Sequence, residues 1–171
     1  MNHFEEFNIP VQFFPDLNLI RNRYYELSRL YHPDLKDTTH GLAESELEQK
    51  SSDLNSAYRI LMAFDLRVAY VLTLYGLMGD TDKASVSSSF LMEMMDVNES
   101  VMEAKLEADT ERLRSIAKEV EQLQDERMKE WEAHCRQFDK TQDQGLLSQI
   151  KDDYLRNKYL LRLKEQLEQE V

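Results

Sequence analysis

Hydrophobic residues recur at helical spacing along the first half of the chain. One series follows Asp16, a typical N-cap residue, at intervals of three and four residues: Leu17, Ile20, Tyr24, Leu27 and Tyr31. A second series predicts a helix over about 42–63: Leu47, Leu54, Tyr58 and Leu61. Two helices with one apolar stripe each fit an antiparallel pair, and the loop between them then lies at one tip, in solvent.

Shorter segments flank this predicted pair. Before it, a short apolar start ends at Pro10. After it, the stretch "DLRVAYVLTLYG" predicts a helix that begins at Asp65 and stops at Gly76, a typical C′ glycine. The first half of the chain is therefore predicted to contain four helices, two of them short.

The clearest break in the chain is the stretch "YGLMGDTDKASVSSS", residues 75–89. It contains two of the four glycines and a cluster of serines, which are typical of loops. We therefore predict a first domain over 1–76, a linker over 77–88 and a second domain over 89–171.

Three longer helices are predicted in the second domain, over about 89–107, 110–138 and 145–169. Apolar positions of the last two helices recur at helical spacing: Leu113, Ile116, Val120, Leu123, Met128, Trp131, Cys135 and Phe138, then Leu147, Ile150, Tyr154 and Leu161. A three-helix bundle buries one stripe from each helix. The sequence contains no alternating apolar runs bounded by turn residues, so the predicted fold class is all-α.

The predicted 89–107 helix carries more apolar residues than a bundle helix needs. At about 100° per residue, one side already forms a core stripe: Phe90, Met94, Val97, Val101 and Ala104. A different side carries Leu91, Met92 and Met95 together with three acids: Asp96, Glu99 and Glu103. An apolar patch beside acids is typical of a docking face for a basic-rimmed partner. Alternatively, the three apolar residues pack under the third helix or against the first domain.

The predicted 17–31 helix has a positively charged face away from its apolar stripe. Arg21 and Arg29 lie on this face with Arg23 at its flank, and Glu26 is the acid that opposes them. The face leads into the sequence "HPDLK", which begins at His32. Such a cluster is either a solvated helix face or a local positive surface in an otherwise acidic protein.

Composition excludes several classes of function. The net charge of −12 argues against binding to nucleic acid or to anionic membranes. A single cysteine, Cys135, excludes an internal disulfide and a cysteine-based zinc site, which favours a reducing compartment. The four histidines are scattered, and the sequence contains no phosphate-binding glycine loop, nucleophile elbow or HExxH motif. We therefore expect no enzymatic activity, no metal site and no cofactor. Neither a signal peptide nor a membrane-spanning run is evident, so we expect a cytoplasmic protein.

Three motifs of the first half resemble the J-domain, the module that stimulates ATP hydrolysis by DnaK-type chaperones. They are "YYELSRLYHPD" from Tyr24, "LNSAYRIL" from Leu54 and "DLRVAY" from Asp65. The resemblance implies that His32, Pro33 and Asp34 contact the chaperone, with Arg21, Arg23 and Arg29 as supporting charges. The family often has a lysine after the aspartate, whereas this chain has Leu35 there and Lys36 one place later.

The second half resembles the HscB family of J-type co-chaperones in iron–sulfur cluster assembly. The stretch "FLMEMMDVNESVMEA" and the helical end "YLLRLKEQLEQEV" carry this resemblance. It implies that the chain binds the scaffold protein IscU and delivers it to the chaperone HscA. The positions that match the family's scaffold-binding face are Leu91, Met92, Met95, Asp96, Glu99, Glu103 and Tyr154, the last in place of a more usual phenylalanine.

Two other interpretations remain. The chain could be a J-domain co-chaperone of a DnaK-type chaperone with a different client, or a helical scaffold protein that contains the tripeptide by chance. Some eukaryotic relatives in the HscB family carry a cysteine-rich zinc module before the J-domain. The sequence has only one cysteine, which favours a bacterial form.

Overall fold

The computed structural model describes residues 1–31, 43–78 and 86–169, and in these ranges every regular element is helical. The helices are α1 (His3–Glu6), α2 (Leu17–Leu30), α3 (Glu44–Met62), α4 (Phe64–Leu74), α5 (Ser88–Leu106), α6 (Thr110–Thr141) and α7 (Leu146–Glu168). The predicted all-α fold class is confirmed. The chain divides into two compact units, Met1–Leu74 and Tyr75–Val171, which are described separately below.

Helices α2 and α3 form the predicted antiparallel pair. The Lys50 ammonium, early in α3, lies 5.3 Å from the ring centroid of Tyr31 at the end of α2. Nearer the other end, the rings of Tyr24 and Tyr58 stack with their centroids 4.2 Å apart. The prediction that Leu17 belongs to the buried stripe is wrong, because its side chain is exposed. When α2 and α3 pair as these contacts place them, the position opposite Leu17 lies beyond the end of α3, so no α3 side chain covers Leu17.

A buried arginine joins the segment before α2 to the helices that follow it. The Arg67 side chain is 3% exposed, and its Nε donates to the carbonyl oxygen of Phe13 over 2.7 Å. Its Nη1 donates to the carbonyl oxygen of Leu61, near the end of α3. A buried cation is tolerated where hydrogen bonds replace its hydration. Arg67 thereby connects the N-terminal segment, α3 and α4 within the first unit.

The second unit is the predicted three-helix bundle. Helices α6 and α7 run antiparallel: Glu121 pairs with Lys164 at 2.9 Å, and His134 Nδ1 lies 2.6 Å from Asp153 Oδ2. Helix α5 packs on them through its predicted core stripe, of which Phe90, Met94, Val101 and Ala104 are buried. None of the helices in the described ranges is long and apolar enough to span a membrane.

The turn between α5 and α6 is a Schellman motif with an alanine at the glycine position. The Asp109 amide donates to the Ala104 carbonyl over 2.9 Å, and the Ala108 amide donates to the Lys105 carbonyl over 3.2 Å. Ala108 has a φ of 53°, a conformation that crowds a Cβ atom. The turn therefore contains backbone strain that glycine would remove.

We expect Ala108→Gly to raise the free energy of unfolding of the second unit by about 0.5–1 kcal/mol, because relief of strain exceeds the entropy that glycine adds to the unfolded chain. The measurement is urea denaturation followed by fluorescence of Trp131, the only tryptophan, which lies buried in this unit. Ala133→Gly, at an exposed position inside α6, is the matched control and should lower the free energy by about 1 kcal/mol. A decrease of similar size for both variants would contradict the assignment of strain to Ala108.

Candidate protein-binding surfaces

The second apolar stripe of α5 faces solvent. The side chains of Leu91, Met92 and Met95 are 43%, 70% and 67% exposed, whereas Phe90 and Met94 on the core side are each 1% exposed. The three residues therefore do not belong to the core of the bundle. Their exposure argues against the interpretation that they pack under the third helix of the bundle.

The opposite side of α5 makes the contacts that hold the helix on the bundle. The ring of Phe90 meets the ring of Tyr159 edge to face, with centroids 5.5 Å apart. Asn98 Nδ2 donates to the hydroxyl of Tyr159 over 2.8 Å, and Glu93 pairs with Arg127 of α6 at 2.9 Å. These contacts fix the rotation of α5 about its axis, and so they determine that the second stripe points away from the bundle.

The three acids beside this stripe differ in how far their charge is already compensated. Glu103 Oε2 lies 2.7 Å from Arg112 Nη2, and Glu107 lies 3.6 Å from the same guanidinium. The hydrogen bond from Arg112 to Glu103 raises the pKa of this arginine above its ordinary value. In the described part of the chain no basic side chain pairs with Asp96 or Glu99. These two carboxylates therefore present more uncompensated charge to a partner than Glu103 does.

Tyr154 lies inside the bundle rather than beside the exposed stripe. Its side chain is 9% exposed, and its ring meets the Trp131 ring edge to face with centroids 6.0 Å apart. The Lys158 ammonium covers the ring at 5.4 Å from its centroid. A residue buried in this way offers little area to a partner, so its role in client binding stays a prediction that these contacts do not strengthen.

The predicted chaperone-binding residues lie partly outside the described ranges. Arg21 and Arg29 are exposed on α2, and Arg21 Nη1 donates to Asn18 Oδ1 over 3.2 Å. Arg23 is half-buried and pairs with Glu26 at 2.8 Å, which compensates its charge. The remaining predicted residues lie outside the described ranges: His32, Pro33 and Asp34.

Comparison with known proteins assigns the family. The family model described as the HSCB C-terminal oligomerisation domain matches residues 86–168 of the sequence. The chain is 33% identical over 131 residues to the co-chaperone protein HscB homolog of Acinetobacter baylyi, an alignment that covers 77% of this chain and 72% of that protein. The chain belongs to the HscB co-chaperone family. The homolog from Vibrio campbellii is 28% identical over 170 residues, which cover 98% of this chain and 95% of that protein.

Solved structures of HscB proteins have the same fold. Human co-chaperone protein HscB aligns with a TM-score of 0.67 and 25% identity, covering 99% of this chain and 81% of that one. Chaperone HscB from Vibrio cholerae aligns with a TM-score of 0.64 and 24% identity, covering 99% and 96%. HscB homologues are co-chaperones and not enzymes, and a co-chaperone implies a DnaK-type chaperone as partner.

Proposed function

We propose that this member of the HscB family binds the iron–sulfur scaffold protein IscU on α5 and delivers it to the chaperone HscA, whose ATPase it stimulates. The observation that carries the proposal is the exposed stripe of Leu91, Met92 and Met95 beside the uncompensated acids Asp96 and Glu99. Methionine side chains are flexible and polarizable, and they suit a surface that must adapt to a partner. A scaffold protein with an apolar patch and a basic rim complements this surface.

We assign the chaperone contact to the first unit. His32, Pro33 and Asp34 carry it, supported by the positive face of α2. Among the described residues no acidic side chain pairs with Arg21 or Arg29, so these two arginines supply more steering charge than Arg23 does. The partner surface on HscA is then expected to be acidic.

Separate contacts on separate units explain how one chain promotes the encounter of two other proteins. A chain that holds IscU through α5 and HscA through the His-Pro-Asp loop converts their encounter into an intramolecular one, which raises the effective concentration of the client at the chaperone. The J-domain contact favours the state of HscA that follows ATP hydrolysis and holds the client tightly, because it binds the chaperone's states with different affinities. This chain itself binds no nucleotide in the proposed mechanism. The bacterial relatives favour a setting in the bacterial cytoplasm.

The proposed function is tested by single-turnover ATP hydrolysis by HscA, measured with the full chain, with IscU and with both. We expect the chain alone to raise the rate, and the chain with IscU to raise it by more than the two separate increases added together. Bovine serum albumin at equal concentration controls for protein crowding. A rate that the chain leaves unchanged in both conditions would exclude a role as co-chaperone of HscA.

A further inference from the structure

The exposed apolar surface of α5 continues beyond the residues that the family resemblance indicates. Met102 and Leu106 are 65% and 85% exposed. They follow Leu91 and Met95 on the same line of the helix, because the successive intervals are four, seven and four residues. Fifteen residues of α-helix rise about 22 Å, so the stripe runs along nearly the whole of α5.

One edge of this long stripe is acidic and the other is not. At about 100° per residue, Asp96, Glu99 and Glu103 all fall on the same side of the line that joins Leu91 to Leu106. The opposite edge carries Asn98, which is hydrogen-bonded to Tyr159 within the bundle. The two edges of the stripe therefore differ in charge. A partner that fits it must carry positive charge along one edge.

We infer that the client contact extends along α5 as far as Leu106, and that the client meets it with an apolar ridge about 20 Å long, flanked on one side by lysine or arginine. This inference rests on the proposed function, because it assigns the additional surface to the same scaffold protein. Met102 and Leu106 lie near the turn into α6, so the contact ends beside Arg112, which already compensates Glu103. Basic residues of the client are then placed opposite Asp96 and Glu99, nearer the middle of α5.

A second copy of this chain is the main rival for the same surface. Each copy has a net charge of −12, which opposes association of two copies at low ionic strength. In a two-fold antiparallel pairing of α5 with its copy, both acidic edges lie on the same side of the contact, so Asp96 and Glu99 of the two copies repel each other. A partner with a basic edge avoids this repulsion.

The test is a calorimetric titration of IscU against the full chain that carries Met102→Ala/Leu106→Ala. We expect its Kd to rise about tenfold, because two exposed apolar side chains lose their burial against the client. Both residues are exposed, so the free energy of unfolding measured by Trp131 fluorescence should stay within about 0.5 kcal/mol of that of the unsubstituted chain. Leu66→Ala, which truncates an exposed leucine of α4 in the other unit, is the matched control and should leave the Kd unchanged.

Three outcomes separate the inference from the proposed function. If Leu91→Ala/Met92→Ala/Met95→Ala weakens binding while Met102→Ala/Leu106→Ala does not, the extension is wrong and the proposed function stands. If IscU does not bind the unsubstituted chain, the proposed function is wrong and the extension falls with it. If sedimentation equilibrium shows a dimer that Met102→Ala/Leu106→Ala dissociates, with IscU binding unchanged, a second copy occupies this surface and the inference is overturned.

Discussion

Alanine at Leu91, Met92 and Met95 together is expected to weaken the binding of IscU by about 100-fold, which corresponds to about 2.7 kcal/mol. The three side chains form the exposed centre of the stripe on α5, and each loses most of its apolar surface on truncation. Burial of one methylene group contributes about 0.8 kcal/mol, and only part of each side chain is covered in a complex. The measurement is the Kd of IscU for the full-length variant in a calorimetric titration.

The same variant should retain its fold and its direct effect on the chaperone. Alanine is the best helix former, and none of the three residues contributes to the core. The unfolding transition followed by Trp131 fluorescence should therefore not move to a lower urea concentration. Stimulation of HscA in the absence of IscU should be unchanged, because the proposed chaperone contact lies in the other unit. Unchanged IscU binding would place the client contact outside this stripe. No IscU binding by the unsubstituted chain, together with normal stimulation of HscA, would identify a J-domain co-chaperone with a different client.

Replacing His32 by glutamine is expected to remove essentially all stimulation of HscA while the affinity for IscU stays the same. Glutamine keeps a polar side chain of similar size but lacks the imidazole ring, so the change tests the ring and not the length of the loop. The expectation rests on the His-Pro-Asp motif at the end of the basic face of α2. The measurement is single-turnover ATP hydrolysis by HscA at saturating concentrations of the variant.

His40→Gln is the matched control, because His40 belongs to the same predicted loop and lies outside the motif. It should stimulate HscA as well as the unsubstituted chain does. If the His32→Gln variant also stimulates at the full rate, the J-domain function assigned to the first unit is wrong. If both variants lose stimulation, the loop as a whole is required and the histidine has no special role.

Helical periodicity predicts which segments of this protein form helices, but it does not predict what each helix packs against. The stripes of α2, α3, α6 and α7 are visible in the sequence because a 3.6-residue repeat needs no tertiary information. Periodicity does not show where a neighbouring helix ends, and so it places Leu17 in the core although α3 stops short of it. For α5 it identifies the core face and a second apolar face, but it does not show whether the second face is also covered within the bundle, which the contacts of Phe90 and Asn98 decide.

For the candidate site, too, the sequence shows the apolar stripe but not the contacts between helices. Met102 and Leu106 share the phase of Leu91 and Met95, so the sequence alone contains the signal for a longer stripe. The pairing of Glu103 with Arg112 is not visible in the sequence, because the two residues belong to different helices and meet only through the tight turn between them.

The burial of Arg67 was equally out of reach of the sequence, whereas the burial of Tyr154 agrees with the predicted apolar stripe of α7. An arginine in a helix is ordinarily predicted to be exposed to solvent. Arg67 is buried because its guanidinium donates hydrogen bonds to the carbonyl groups of Phe13 and Leu61. The resemblance to the HscB family implies a client contact for Tyr154, and the Trp131 ring of α6 packs against this side chain.

The buried guanidinium of Arg67 also limits how far the first unit of this protein could be shortened. A fragment that began at the N-cap of α2 would keep the His-Pro-Asp motif and the whole α2–α3 pair. It would lose Phe4, Phe7 and Phe13, all fully buried, and would leave Arg67 Nε without the Phe13 carbonyl. A buried cation that loses one of its acceptors destabilises the folded state. The segment that precedes the recognisable motifs is therefore part of the smallest unit that folds.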